Sequence, residues 1–118
     1  MWDMQARVAA FDAERFRSLG PGYVALNLAG EAGELANVVK KLWRSDPRIG
    51  LPEGYEQIDS THRAQISDEL ADVVMMSLVL ANHLGIDVAD ALARKLAIID
   101  ERLQAGYYQH EAKTSPED

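Results

Sequence analysis

The 118-residue chain contains no cysteine. Disulfides, zinc–thiolate sites, iron–sulfur clusters and thiol nucleophiles are therefore excluded, and a reducing, cytoplasmic setting is the expectation. No apolar run approaches the ~20 residues of a membrane span. The opening MWDMQARVAAFDAERF is amphipathic and mixed in charge, unlike a signal peptide. Basic residues are in deficit, 12 Lys and Arg against 19 Asp and Glu, for a net charge of −7. Duplex nucleic acid wants a basic stripe, so it is not an expected partner. Histidine is scarce too, and none of His62, His83 and His110 has a Glu three residues earlier. The Glu-x-x-His pairs of di-iron helical bundles are thus missing. No stretch alternates with the period of a strand.

Helical periodicity is what the chain does have. The spacing predicts helices over about 3–19, 23–43, 61–84 and 87–106, a single all-α domain over 1–105 in the form of a four-helix bundle. Gly20-Pro21-Gly22 separates the first two helices, Gly85 ends the third and Asp87 caps the fourth. The segment RSDPRIGLPEGYEQIDS (44–60) reads as one long loop without helical period, unusual inside a small domain. Residues 106–118 read as a polar tail. Within the third helix, VVMMSLVLA (73–81) has no polar face. A helix apolar all round asks to be buried all round. A homo-oligomer follows, a homodimer or homotetramer, with Met75, Met76 or Val79 expected at its interface.

One stretch contradicts simple amphipathicity. In GEAGELANVVKK (30–41), Leu28, Leu35, Val38, Val39 and Leu42 define an apolar arc, and Glu31 falls inside it. An ionised carboxylate is costly there unless something compensates it. Glu34 lies three residues on, and the third helix carries a matching pair, Glu69 and Asp72. Each pair shares one helix face. If the two helices pack antiparallel, four carboxylates converge, and they repel unless a cation joins them. Carboxylates without His or Cys suit hard, oxygen-preferring ions: Mg2+, Mn2+ or Ca2+.

The blocks GEAGELANVVKK and DELADVVMMSLVLANHLGID resemble the MazG-like, all-α nucleoside triphosphate pyrophosphohydrolase superfamily over about residues 23–103. Glu31, Glu34, Glu69 and Asp72 match its paired E-x-x-E and E-x-x-D motifs one by one. The resemblance implies a helical bundle assembled as dimers or tetramers, in which those four acids hold Mg2+, with Mn2+ as a substitute. It implies attack by water on the α-phosphorus of a nucleotide, releasing monophosphate and pyrophosphate. The G-E-x-G-E-L form resembles the short, single-domain branch acting on deoxynucleotides. Gly30 stands where many members carry a further acid, so the general base is left unassigned.

A phosphate chain also needs side-chain cations. On the fourth helix Val88, Leu92, Leu96, Ile99 and Leu103 make a stripe expected to be buried. Lys95 and Arg102 edge it as the family's K…R pair does. Lys41 and Asn27 share an edge row with Glu34 on the second helix, and Trp43 at its end is a candidate to stack on a base. Two other functions fit less of the sequence. Phosphoribosyl-ATP pyrophosphohydrolases carry a histidine shortly after the E-x-x-D motif, where this chain reads VVMMSL. A non-enzymatic dimeric helical module would leave the four acids structural or turned to a basic partner.

Overall fold

The computed structural model describes residues 2–15 and 20–106. The end of the first expected helix (16–19) and the tail with Tyr107, Tyr108 and His110 lie outside the described residues. Among the described residues four helices run in order: α1 (Trp2–Arg15), α2 (Pro21–Ser45), α3 (Ser60–His83) and α4 (Val88–Gln104). The described residues contain no strand, so the fold is all-α. No single helix among them is long and apolar enough to cross a membrane.

Each helix end has a local cause. Pro21 occupies the first turn of α2, where its missing N–H is no loss. Asp59 caps α3 by accepting from the His62 N–H at 2.8 Å, and Asp87 caps α4 by accepting from Asp90 N–H at 3.1 Å. Gly85 ends α3 at φ 67°, and the Ile86 N–H reaches back to the Ala81 carbonyl at 2.8 Å. That closure needs a left-handed residue, which glycine supplies without strain.

α2 and α3 pack antiparallel along their lengths. Val24 near the start of α2 meets Met76 and Val79, and residues 38–45 at its end lie beside His62 and Gln65. The core at the Val24 end is small and dense: Val24, Leu78 and Val79 are almost wholly buried. α1 crosses α3 and is clamped to the α3–α4 turn by one side chain. Gln5 donates to the Ile86 carbonyl at 2.6 Å and accepts from the Val88 N–H at 3.1 Å. Asn82 donates to the Gln5 carbonyl at 3.2 Å. A buried amide with both ends satisfied fixes the corner from which α4 departs, bent 105° from α3.

Three expectations change here. The 44–60 loop is neither wholly irregular nor wholly loop: α2 runs on to Ser45, and two 3-10 turns follow, Pro47–Gly50 and Pro52–Gln57. Met76 and Val79 are buried in the chain's own core with Val24, so of the three expected interface residues Met75 alone is only half-buried. The α4 stripe is not buried within the chain. Leu92, Leu96 and Leu103 are 48, 66 and 53 % exposed, because α4 leans mainly on α1. The Cα radius of gyration, 18.0 Å, exceeds the ~13–14 Å of a compact chain this long.

Candidate metal centre

The antiparallel register of α2 and α3 sets the site. Glu31 on α2 faces Glu69 and Asp72 on α3, and one carboxylate oxygen from each lies within 4.8 Å of the others. Glu31 Oε2 and Glu69 Oε2 are buried and have no hydrogen-bond partner. Burial raises both carboxyls above their ordinary 4.5. Repulsion adds to it, from Glu34, Asp72 and Glu69 upon Glu31, and from Glu34, Asp72 and Asp68 upon Glu69. The charged groups that act most on either acid are all carboxylates. Orphaned anionic oxygens crowded at this spacing fit a hard divalent cation, whose oxygen ligands stand ~2.0–2.6 Å from it. Glu34 is exposed and stands beside the trio, close enough to press on both Glu31 and Glu69.

The other expected site residues are more dispersed. Asn27 sits half-buried one turn before Glu31. Lys41 lies beside Ser45, His62 and Gln65, about 10 Å of helix beyond Glu34. Trp43 is 55 % exposed, with its indole over Gly50: a Cβ on that glycine would stand 2.7 Å from the ring's Cε2. Lys95 and Arg102 are exposed on α4.

Two features escaped sequence reasoning. Asp12 of α1, almost wholly buried, meets His83 at the end of α3, Oδ2 to Nε2 2.8 Å. No local spacing signals a pair 71 residues apart. The second is the internal bracing of the 44–60 segment. Arg48 forks onto Asp46, Nε to Oδ1 3.0 Å and Nη2 to Oδ2 2.7 Å, and hydrogen bonding from Arg48 lowers the Asp46 carboxyl below its usual range. Arg63 of α3 straps the segment down, its Nη2 donating to the carbonyls of Tyr55 (3.1 Å) and Ile58 (3.4 Å). The D-P-R triplet was the one available sign, since Asp before Pro starts a turn.

The model of the MazG-like family matches residues 49–114. The chain belongs to the MazG-like family. The gene 37 protein of Mycobacterium phage L5 is 33% identical over 90 residues, 76% of this chain and 72% of that protein. Human dCTP pyrophosphatase 1 is 33% identical over 104 residues, 88% of this chain but 54% of the human protein. The rat dCTP pyrophosphatase 1 is 33% identical over 85 residues, 72% of this chain and 45% of its own length. This MazG-like chain thus spans about half of the two mammalian pyrophosphatases it matches. The family match reaches the Glu69–Asp72 pair but starts beyond Glu31 and Glu34. The 104-residue similarity to the human protein is long enough to take in all four acids.

Proposed function

We propose that this protein is a Mg2+-dependent nucleotide pyrophosphohydrolase. It converts a nucleoside or deoxynucleoside triphosphate and water into the monophosphate and pyrophosphate, in the service of nucleotide-pool clean-up. The observation that carries this reading is the convergence of Glu31, Glu69 and Asp72, with two buried carboxylate oxygens lacking any partner. Family membership and the similarity to dCTP pyrophosphatases support the same chemistry.

Glu31, Glu69 and Asp72 hold the cation, and Glu34 at the edge of the trio reaches toward the solvent side. When bound, the cation supplies positive charge against the phosphate chain and makes water more acidic. The acids do the positioning. Because they project from two packed helices in facing i, i+3 pairs, their oxygens are aimed before any substrate arrives, which lowers the reorganisation needed during the reaction. Lys41 meets the outer phosphates from α2.

Lys95 and Arg102 meet phosphate from α4 of a second copy. The exposed Leu92, Leu96 and Leu103 support a homodimer or homotetramer: an apolar stripe on a helix only lightly packed within the chain is a face still to be covered. Pyrophosphate release from a panel of nucleoside triphosphates, with Mg2+ and again with EDTA, tests the reading. No release from any of them in Mg2+ or Mn2+ refutes it.

A further inference from the structure

An apolar cavity of about 610 Å3 opens between α2, α3 and the two 3-10 turns, within the ~300–1,000 Å3 of small-molecule sites. Val39 forms its α2 wall, Ile66 and Leu70 its α3 wall, and Ile49, Leu51 and Tyr55 its outer wall. The α3 wall lies next to the acids of the metal centre along the helix. Leu70 follows Glu69 in sequence, and Ile66 precedes it by three, so Ile66 and Glu69 share a helix face. On α2, Val39 lies about 7.5 Å of helix beyond Glu34. One small molecule can therefore hold its anionic end at the acids' cation and its neutral end in the cavity.

The lining selects the kind of group that enters. Its side chains include no carboxylate and no amide. The single guanidinium, Arg63, already donates through Nη2 to two backbone carbonyls. A phosphate or a charged peptide finds little here, whereas a neutral planar ring finds aliphatic faces and the Tyr55 ring. The outer wall is also fixed in place. It is braced by the Asp46–Arg48 fork, by Trp43 lying over Gly50, and by Gly54, where a Cβ would press within 2.6 Å of the Arg48 carbonyl oxygen.

We propose that this cavity binds the base ring of the nucleotide by hydrophobic contact and stacking, without reading the ring's hydrogen-bonding edge. The inference rests on the pyrophosphohydrolase reading and adds to it the residues that set base choice. Apolar pockets discriminate by ~10–200-fold, whereas sites that hydrogen-bond a distinguishing group reach ~10⁴-fold or more. Base preference in kcat/KM therefore spans no more than about a hundredfold among the common bases.

The test is isoleucine-methyl NMR on the full chain in Mg2+, titrated with an α,β-methylene nucleoside triphosphate that cannot release pyrophosphate. Ile49, Ile58 and Ile66 shift saturably and Ile86 does not, any shift of Ile98 and Ile99 reports only phosphate contact on α4, and inorganic tripolyphosphate leaves the first three unmoved. Leu70→Trp, at a half-exposed position where the core is spared, fills the cavity and raises KM for nucleoside triphosphates about tenfold. Shifts confined to Ile86, Ile98 and Ile99 overturn the proposal. So do shifts at the first three that follow protein concentration and not nucleotide, which would give the cavity to another copy. Pyrophosphate release from wild type without shifts at Ile49, Ile58 and Ile66 sinks the cavity and leaves the reaction standing. Saturable shifts there without release sink the reaction and support the cavity as a nucleotide site.

Discussion

Glu31→Gln separates a metal ligand from a structural acid. Gln keeps the shape of Glu and removes its charge. In the metal-free protein Glu31 faces three carboxylates, and its Oε2 has no partner to lose. Neutralising it relieves repulsion and strands nothing, so in EDTA the variant melts at the wild-type temperature or above it. The pH dependence has a definite sign. The Glu31 and Glu69 carboxyls are raised above 4.5, so the folded protein holds these protons more tightly than the unfolded chain does. Wild type in EDTA is therefore favoured below about pH 4.5 and loses stability as pH rises from there through the folded values. The variant loses less over the same window. Mg2+ reverses the order. At roughly a hundred times Kd, one bound ion raises Tm by about 10 °C for a chain of this length, and the variant gains a small part of that. The assay is a set of thermal melts of both proteins in EDTA and in Mg2+, at about pH 5 and about pH 8. A variant that melts well below wild type in EDTA, with a wild type indifferent to Mg2+, refutes the reasoning.

Glu34→Gln, Glu69→Gln and Asp72→Asn each leave a folded protein and cut turnover at least ~100-fold, since a catalytic metal supplies several powers of ten in rate; near-normal turnover in two of them at saturating Mg2+ contradicts the ligand set. Lys95→Ala and Arg102→Ala weaken nucleotide turnover with little change in the Mg2+-induced rise in Tm; unchanged kinetics in both would remove them from the phosphate site. Leu96→Asp shifts sedimentation from oligomer to monomer at micromolar concentration and lowers specific activity in parallel, and a wild type that already sediments as a monomer contradicts the assembly. Gly33 sits inside α2 with no atom within 4 Å of where a Cβ would stand, so Gly33→Ala stabilises the isolated chain by ~0.5–1 kcal/mol; loss of activity in that more stable protein would mean the bare backbone admits a ligand or a second copy.

The acidic trio was legible because it rests on strictly local rules. Spacing of i, i+3 puts Glu69 and Asp72 on one face, and period 3.6 places Glu31 inside its apolar arc. Helix ends were legible for the same reason, as at Gly85 and Asp87. What α4 packs against was not. A stripe such as Leu92, Leu96 and Leu103 states that a face needs covering and carries no information on whose surface covers it. The 44–60 segment failed for another reason. Turns held by i to i+3 bonds are too short for a hydrophobic period, and their bracing by Arg63 and Trp43 comes from neighbouring helices. The Asp12–His83 pair is long-range and left no trace in either helix's spacing.

The placement of the acids along their helices has a consequence for hydrogen exchange. Glu31 and Glu69 both lie well inside long helices, more than two turns from either end. Fraying of helix ends, the cheapest opening a helix undergoes, does not reach them. Amides around Glu31 and Glu69 therefore exchange only through openings that separate α2 from α3, while amides near Pro21 and Ser60 exchange through local fraying. A cation shared by the two helices slows exchange at the first group and leaves the second almost unchanged, so protection measured with and without Mg2+ maps which part of the chain the ion locks.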